Sequence, residues 1–422
     1  MTKENFVYEK KEKTSDVQPR NCLICCNTIL TFINLFISTF FISYIHKFNA
    51  NIYDYIFNVG LFEMVRYVAF IFIYYVASFI VDRTNRVGVF RASIAIKMIL
   101  VISFVFYGEI LAKHVFIAGI MLGLSNGLYY SSYNVLKQEM VSKSKMKTFS
   151  TYMLICSKAM SIIGPILLGS LIDFTSYSIV AIIVFVVSLV QFLVSFGIKS
   201  VKPQGSNYSI SNYIKKLRQN PEVKQKIKLL YVACGLYGAV TLLGTLVNIC
   251  IILEYGSNVS LGMLTSIISI VSIISLFMFN KFTKAGNRKK ILIALCIILC
   301  GCSTLFSFMI NQFTLVIYNI GYAASIIVIE YLLDIYRNST LKEAGLYSEI
   351  SEHQTFVEVL LGISRISCYL VMMGVGLLNS QIAFNILLVI SATMASMIFI
   401  VFLIFEQKYI KKPLANETEK TL

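Results

Sequence analysis

The sequence contains no tryptophan and little charge, and both scarcities are informative. Asp, Glu, Lys and Arg make up 14% of the 422 residues, whereas 57% are hydrophobic and the mean hydropathy is +0.76. A soluble domain cannot bury so large an apolar fraction, so an ordinary soluble globular protein is excluded. Without tryptophan, tyrosine must supply any aromatic belt at a membrane surface.

Residues that hold metals or carry out covalent catalysis are also scarce. The chain has three histidines, and its ten cysteines lie in or beside apolar stretches, with one cluster at Cys22, Cys25 and Cys26. No second cluster completes a zinc site, and we interpret the cysteines as reduced, small apolar side chains. No nucleophile–base pairing or phosphate-binding glycine loop stands out. We therefore expect neither an enzyme nor a bound metal or cofactor.

The apolar residues are grouped into runs of about 20, the length with which a helix crosses a bilayer. In lipid the backbone must satisfy its own hydrogen bonds, so the runs are predicted to be helices. The predicted fold class is an all-α polytopic membrane protein with twelve transmembrane helices embedded in the lipid bilayer. The runs lie at approximately residues 21–45, 56–81, 88–108, 115–136, 149–171, 177–198, 227–253, 260–280, 291–310, 313–336, 353–377 and 381–405.

The net charge of +16 follows membrane topology rather than a nucleic-acid site. If both termini are cytoplasmic, nearly all Lys and Arg fall in the tails and the cytoplasmic loops, and the opposite loops hold only Lys47 and Lys113. This is the positive-inside pattern. We therefore expect a multi-pass protein of the cell membrane with cytoplasmic termini and no nucleic-acid partner.

A polar stretch divides the chain into two halves of six predicted helices. Two such halves indicate a pseudo-two-fold axis along the membrane normal, with the substrate near the midplane. Within the polar stretch, Ile210–Leu217 is predicted either as a short helix on the membrane surface or as a flexible basic tether. The predicted units are a cytoplasmic N-tail (1–20), a six-helix bundle (21–198), a cytoplasmic linker (199–226), a second six-helix bundle (227–405) and a cytoplasmic C-tail (406–422).

Two internal matches support a duplication. A charged hairpin, Asp82–Arg86, follows the second span, and a weaker echo, Lys284–Lys290, lies at the same place in the second half. Lys158 in the fifth span and Arg365 in the eleventh also correspond. At ~1.5 Å per residue, each lies about 14–18 Å from the cytoplasmic end of its helix, near the midplane.

The first hairpin resembles motif A of the major facilitator superfamily, a Gly followed by Asp-Arg and further basic residues. Asp82, Arg83 and Arg86 match that motif in type and spacing, whereas Ser78 and Asn85 replace its glycines. Twelve spans, inside termini and a central linker extend the resemblance, to a bacterial twelve-helix transporter, over the whole chain. The resemblance implies the family fold of two six-helix bundles.

In that family, motif A ties the two halves together on the inner side when the pore faces outward. The resemblance implies the same cytoplasmic gate for Asp82, Arg83 and Arg86, with the acid at the positive end of a neighbouring helix. Ser351–Gln354 is typical of a capping box that opens the eleventh span and is the matching helix start. The alternative is that the three charged residues only mark topology.

A partial resemblance concerns motif C, which in exporters of the superfamily places Gly-Pro and further glycines in the fifth span. Gly164, Pro165 and Gly169 match it, whereas Met160 and Leu168 replace glycines. The resemblance implies export. The alternative is that the Gly-Pro pair kinks the helix without setting a direction.

The fourth span carries glycines at every fourth position, Gly119, Gly123 and Gly127, on a face that permits close helix packing. The arginine that the family usually has near the start of this helix, implicated in proton coupling, is missing, and His114 is the nearby candidate. The acid that many drug–proton antiporters carry in their first span is missing too. Both departures argue against proton antiport of that pattern.

Ionisable side chains within spans are costly and indicate a cavity or a partner. By analogy with the family, Glu63, Arg66, Lys158, Glu358 and Arg365 approach the central cavity. We expect Lys158 and Arg365 to bind an anionic or carboxylate-bearing substrate, and Glu63 or Glu358 to carry protons. The alternative is that these residues form ion pairs between the halves.

The fourth span also has a polar and aromatic face that includes Asn126 and Tyr130. An amphipathic substrate is expected to stack there, and ordinary helix contacts are the alternative. Lys97 lies on the third span, which is peripheral in the family fold. We expect it to reach the membrane surface or to pair within its own half.

These observations predict a secondary transporter that works by alternating access and exports a small amphipathic or anionic compound, with proton exchange. One alternative is an uptake symporter for an organic anion, motivated by Lys158 and Arg365. Another is a non-transporting membrane sensor on the same scaffold, motivated by the missing arginine. The expected partners are the bilayer, a small-molecule substrate and protons, and the chain is expected to act as a monomer.

Overall fold

The computed structural model describes residues 14–410 apart from 50, 84, 142–145, 200–208, 220, 284–286 and 347–349. Twelve long helices, here numbered α1 to α12, dominate it. The first, α1, consists of Thr14–Asn34, a π-helical stretch Leu35–Phe40 and Phe41–His46. The others are α2 (Ile52–Arg83), α3 (Arg86–Lys113), α4 (Val115–Met140), α5 (Met146–Phe174), α6 (Tyr177–Ser195), α7 (Pro221–Tyr255), α8 (Asn258–Phe282), α9 (Arg288–Phe308), α10 (Gln312–Glu343), α11 (Ile350–Leu378) and α12 (Gln381–Phe405).

Eleven of the helices formed by the described residues are long and apolar enough to cross a membrane. The twelfth, α4, is less apolar because it carries Asn126, Tyr129 and Tyr130, but it is 26 residues long and packs against both α2 and α3. The described chain forms no strand. The predicted all-α polytopic fold is therefore confirmed.

Short polar caps begin many of the helices. Asn85 accepts a hydrogen bond from the backbone N–H of Gly88 (3.1 Å) and so begins α3. Ser176 and Ser257 cap α6 and α8 in the same way, and Asn311 forms a capping box with α10. Each cap satisfies a free N–H group of a first turn, which explains how neighbouring spans follow one another after so few residues.

A short linker helix, Ile210–Gln219, precedes α7 and packs on the second half. Its Tyr213 is fully buried, with the hydroxyl 2.8 Å from Nδ1 of His353 on α11 and 3.1 Å from the Tyr231 hydroxyl on α7. Burial raises the pKa of Tyr213, so the hydroxyl stays protonated at neutral pH. Of the two alternatives for this stretch, the structure contains the short helix, and α7 begins at Pro221, inside the stretch predicted as linker.

Two helix pairs join the halves, and we call them the α2–α11 seam and the α5–α8 seam. The membrane face that carries the linker helix and the α2–α3 hairpin is called the linker face. Along the α2–α11 seam, Tyr67 stacks on Tyr369 with ring centroids 5.9 Å apart. At the linker face Thr355 donates to the hydroxyl of Ser78 (3.2 Å). Close contact also continues to the opposite end, where Gly376 meets the backbone of α2.

The α5–α8 seam is shorter. Ser269 donates to the carbonyl of Ser161 (3.1 Å), and Ser266 donates to that of Ile162 (2.5 Å). Further from the linker face, Gly262 faces the Pro165 carbonyl without room for a Cβ. These hydrogen bonds lie in the part of α5 from residue 161 onward, away from the linker face.

A carboxylate closes the α5–α8 seam at the face opposite the linker. Asp173 accepts one hydrogen bond from the Asn258 amide (2.6 Å) and one from the Val259 backbone N–H (2.9 Å). The Ser43 hydroxyl of α1 donates to the same Asn258 side chain (2.6 Å). An acid of the first half therefore binds the positive end of a helix of the second half.

Candidate functional site

A cavity of about 370 Å³ lies where α1 and α2 of the first half meet α7, α8, α10 and α11 of the second. Four charged residues line it: Glu63, Arg66, Glu330 and Arg365. The π-helical stretch of α1 adds Ser38 and Thr39. π-helical turns are rare and often occur at functional sites. The charged residues, which come from both halves, make this cavity the candidate substrate site.

The glycines of α4 set the position of α2. A Cβ at Gly119 or Gly123 would collide with the carbonyl of Phe62 or Arg66 on α2, and one at Gly127 would collide with the side chain of Ile73, one turn further along. The close packing predicted from their spacing is thus confirmed. Packing against α4 fixes the backbone position of Arg66, and this position limits where its guanidinium can lie.

Arg66 is neutralised by its own helix. Its guanidinium lies 2.5 Å from the carboxylate of Glu63, one turn earlier, and it donates to the Tyr67 hydroxyl at 2.6 Å. Glu63 is only 2% exposed. Because the two opposite charges of this short, buried ion pair offset each other, the pair gives the cavity a dipole and a shape but little net charge.

Arg365 is held in place through its neighbour. The Ser364 hydroxyl accepts from the Gly238 backbone N–H (2.9 Å) and donates to the Gly235 carbonyl (2.5 Å), which fixes α11 against α7. Arg365 itself donates to Thr241 at 3.3 Å. Its ion pair with Glu358 is long, at 3.9 Å. The guanidinium therefore keeps more of its charge available than that of Arg66.

Three tyrosines surround the two arginines. The Arg365 guanidinium carbon lies 4.9 Å from the ring centroid of Tyr67 and 5.6 Å from that of Tyr237. The Tyr237 hydroxyl donates to Glu330 at 2.8 Å, and Tyr369 lies within 2.7 Å of Thr245. Such rings hold a guanidinium by cation–π attraction while leaving its N–H edge free to donate.

Sequence reasoning did not assign these tyrosines or Glu330 to the site. Glu330 gave a signal, because an acid within a span is unusual. The tyrosines gave none, because the chain has 25 of them and periodicity does not separate those at a cavity from those in the core.

Some predicted site residues lie elsewhere. Lys158 is half-buried on α5 and is not among the described residues that line the cavity. Asn126 accepts a hydrogen bond from Lys97 (2.7 Å), and Tyr130 packs edge-on against the ring of Tyr129. Their side chains are therefore engaged within the first half, and their roles in substrate binding stay predictions.

The motif A residues show mainly local contacts. Arg86 forms an ion pair with Glu139 on α4 and donates to the Val81 carbonyl (3.1 Å), and Arg83 stacks over the ring of Phe79. The side chain of Asp82 lies outside the described residues, as do residues 284–286 of the echo hairpin. The cytoplasmic gate stays a prediction.

The motif C residues lie in the α5–α8 seam. Pro165 is within a continuous α5, and Gly262 of α8 approaches its carbonyl. A Cβ on Gly169 would collide with the carbonyl of Asn258, whereas Gly164 faces Leu35 and Phe32 of α1. These contacts give Pro165 and Gly169 a packing role between the halves.

Comparisons with known proteins agree with this architecture. The family model of the Major Facilitator Superfamily matches residues 22–348. Uncharacterized protein YqgE of Bacillus subtilis (strain 168) is 23% identical over 251 residues, which cover 58% of this chain and 57% of that protein. The match thus spans little more than half of that relative's length.

Three solved structures share the fold. A POT family transporter in complex with 5-aminolevulinic acid has a TM-score of 0.70 at 13% identity, over 92% of this chain and 96% of that one. A bacterial homologue of the iron transporter ferroportin, in an inward-facing state, has a TM-score of 0.67 at 14% identity, over 94% and 100%. The POT family transporter PepTSo has a TM-score of 0.71 at 10% identity, over 96% and 99%.

The family model covers well over half of the chain, and the neighbours share its helical architecture throughout. The resemblance inferred from Asp82, Arg83 and Arg86 is confirmed at the level of the family. A cavity bounded by both halves is the arrangement with which such proteins alternate access. The chain belongs to the major facilitator superfamily, a family of secondary transporters.

Proposed function

We propose that the protein moves a small amphipathic organic anion by alternating access, together with a proton, as an uptake symporter. The observation that carries this proposal is the state of Arg365 in the cavity. Its guanidinium lies between the rings of Tyr67 and Tyr237, and its carboxylate partner Glu358 is 3.9 Å away. A carboxylate or sulfonate would form shorter, charge-assisted hydrogen bonds with it.

The chemistry of the cavity wall supports an amphipathic substrate. Tyr67 and Tyr237 present ring faces beside the guanidinium, Tyr369 lines the cavity, and Thr241 and Thr245 supply hydroxyl groups. An aromatic or branched organic anion can place its charge on Arg365 and its apolar part on these rings. A cavity of about 370 Å³ has the size of small-molecule sites in general.

The sign of the electrostatics favours cotransport over exchange. A proton bound near the cavity adds positive charge, which strengthens the binding of an anion, and by linkage the anion strengthens the binding of the proton. The anion and the proton then cross the low-dielectric part of the protein together, with less net charge than the anion alone. This argument supports uptake driven by an inward proton gradient.

Export in exchange for protons is the second candidate. Its support is the partial motif C, with Gly164, Pro165 and Gly169 on α5. The contacts of Pro165 and Gly169 with α8 explain those two residues by packing between the halves, which weakens the case for a directional role. The sensor hypothesis rests on the missing arginine of α4. The charged cavity favours a transported solute over that hypothesis.

The proposal includes the membrane context. We place the protein in the cell membrane with both termini and the linker in the cytoplasm, on the strength of the positive-inside pattern. We take residues 21–198 and 227–405 as the two moving bundles, and the chain as a monomer. Asp82, Arg83 and Arg86 are proposed as the cytoplasmic gate, since they adjoin the Ser78–Thr355 contact between the halves.

Transport in right-side-out and inverted vesicles tests the proposal. A panel of radiolabelled aromatic and aliphatic carboxylates and sulfonates is offered with and without a proton gradient. We expect accumulation in right-side-out vesicles when the gradient is directed inward. Accumulation only in inverted vesicles would establish export instead, and no gradient-dependent movement of any panel member would overturn both directions.

Substitution of Arg365 tests its role. We expect Arg365→Gln to weaken apparent affinity for the transported anion about 10- to 100-fold, because a charge-assisted hydrogen bond is worth about 1.5–3 kcal/mol. Arg337→Gln is the matched control, because Arg337 pairs with the exposed Asp334 on α10, outside the cavity lining. Equal effects of the two substitutions would remove Arg365 from the site.

A further inference from the structure

Lys97 has an unusual environment for a charged side chain. It lies near the middle of α3, and only 1% of it is exposed. Its ammonium donates to the side-chain oxygens of Asn34 on α1 (2.9 Å) and Asn126 on α4 (2.7 Å). Both partners are neutral amides. A buried cation normally requires an acid, so this arrangement needs an explanation.

The acids of the first half whose side chains are described lie away from Lys97. Glu63, Glu109 and Glu139 each pair with an arginine or lysine, and Asp173 binds the first turn of α8. Asp54 is exposed in the first turn of α2. The sequence of α6, which packs on α3, contains no charged residue. Among the described residues, Lys97 therefore has two amide partners and no carboxylate in its half.

The other groups that face Lys97 do not neutralise it. The ring of Tyr129 on α4 lies 6.0 Å from the ammonium and attracts it weakly. Arg66 on α2 is already paired with Glu63 and brings no negative charge to Lys97. A cation in this position is stabilised by losing its proton or by the arrival of an anion nearby.

The Lys97 cluster is connected to the candidate substrate site. Asn34 directly precedes the π-helical stretch of α1, and Ser38 of that stretch donates to the Asn34 carbonyl (2.5 Å). Ser38 and Thr39 line the cavity beside Arg66. A change of charge on Lys97 thus acts on the cavity through one turn of α1 as well as through space.

From this geometry we propose that Lys97, held by Asn34 and Asn126, is the site that binds the cotransported proton. The proposal rests on the symport proposed above. In the cycle, an anion on Arg365 favours the ammonium form of Lys97. After the anion leaves on the other side, the Nζ–H bond breaks, the electron pair stays on nitrogen, and the proton passes to water. The neutral amine keeps two N–H donors for the two amide oxygens.

This assignment differs from a proton on Glu63. That carboxylate is in contact with Arg66 at 2.5 Å, and protonating it would leave a buried guanidinium without its negatively charged partner. Deprotonating Lys97 releases no such charge, because its hydrogen-bond partners are neutral. A change in the protonation state of Lys97 therefore costs less free energy than a change in that of Glu63.

The first test observes the amine directly in the full chain, embedded in lipid nanodiscs. Lysine side chains are labelled with ¹⁵N, and the Lys97 signal is identified by its loss in Lys97→Arg or Lys97→Gln. Lys113 is the control, because it lies at the exposed end of the same helix and pairs with Glu109 at 2.7 Å. We expect the Lys97 signal to change between pH 6 and pH 9, and Lys113 supplies the reference signal of an exposed lysine on the same helix. An unchanged Lys97 signal would overturn the proposal.

The second test measures linkage with binding of benzoate, benzenesulfonate and naphthalenesulfonate. We expect binding to wild type and to Lys113→Gln to tighten by about 5- to 150-fold, the usual range of coupling between sites, from pH 8 to pH 6. Binding to Lys97→Gln is expected to be independent of pH. Persistent pH dependence in that variant would overturn the role of Lys97. No binding to wild type at any pH would instead refute the proposed anion site. The NMR experiment would still test whether Lys97 changes its protonation state.

Discussion

The two seams between the halves differ in how far they extend across the membrane. The α2–α11 seam is in contact from the linker face, at Ser78 and Thr355, to the opposite end, at Gly376. The α5–α8 seam has its described hydrogen bonds only from Ser161 to Asp173, away from the linker face. Two duplicated helix pairs thus hold the same two bundles together unequally.

The difference indicates how the cavity opens. Nearer the linker face, side chains of α5 and α8 such as Tyr152, Ile155 and Phe277 are exposed. The continuous α2–α11 seam can act as a pivot. The α5–α8 seam, which is bonded away from the linker face, can open at the linker face. Rocking of one bundle against the other then alters the α5–α8 gap more than the α2–α11 contact.

The largest expected effect comes from a disulfide that locks the two halves together at the linker face. Ser78→Cys with Thr355→Cys places two thiols where hydroxyl oxygens lie 3.2 Å apart. We expect oxidation to reduce transport to background and a reductant to restore it, because alternation must separate the halves at the linker face. Each single variant, oxidised in the same way, controls for the ten native cysteines. Full transport by the oxidised double variant would show that this contact never opens.

The packing of the continuous seam is tested by two neighbouring glycines of α11. A Cβ on Gly376 would approach the backbone of Phe57 and Tyr53, whereas one on Gly374 would meet nothing within 4 Å. We expect Gly376→Ala to lower the free energy of unfolding by about 1–3 kcal/mol through overpacking. Gly374→Ala should raise it by up to about 1 kcal/mol through helix propensity. Thermal unfolding of the purified protein measures both, and equal melting temperatures would contradict the described contact.

The smallest expected effect concerns the closed end of the shorter seam. Asp173→Asn keeps the size of the side chain but removes the charge that faces the first turn of α8. We expect a loss of about 0.3–1 kcal/mol of helix-terminus stabilisation, which shifts populations two- to fivefold toward opening at that face. Double electron–electron resonance between unnatural amino-acid labels on the two halves measures the shift.

Glu109→Gln is the control for that experiment, because Glu109 is an exposed acid that pairs within its own helix with Lys113. It removes a charge without touching a seam. If both variants gave the same distance distributions, the bond between Asp173 and α8 would have no part in closing the transporter.

Much of the fold followed from the sequence because apolar length and the distribution of Lys and Arg are properties of single segments. The glycine spacing of α4 also predicted its close packing on α2, since small residues on one face have few other uses in a membrane helix. Arg66 and Arg365 were identified from the sequence as intramembrane charges, and both lie at the cavity.

The detailed partners could not be predicted, because they depend on distances between helices. Lys158 corresponds to Arg365 in depth, yet depth does not fix the direction in which a helix face points. Of the two expectations for Lys97, pairing within its own half is confirmed, but its partners Asn34 and Asn126 could not be named in advance. Long flexible side chains allow a residue on an outer helix to contribute to the interior.

Because the linker helix is docked through Tyr213 on α7 and α11, it travels with the second bundle as a single body. The covalent connection that remains between the bundles is the segment from Ile198 to Ser209. Fully extended, it reaches about 36–40 Å at 3.3–3.6 Å per residue. That length is an upper limit on how far apart the two bundles can move where the segment joins them.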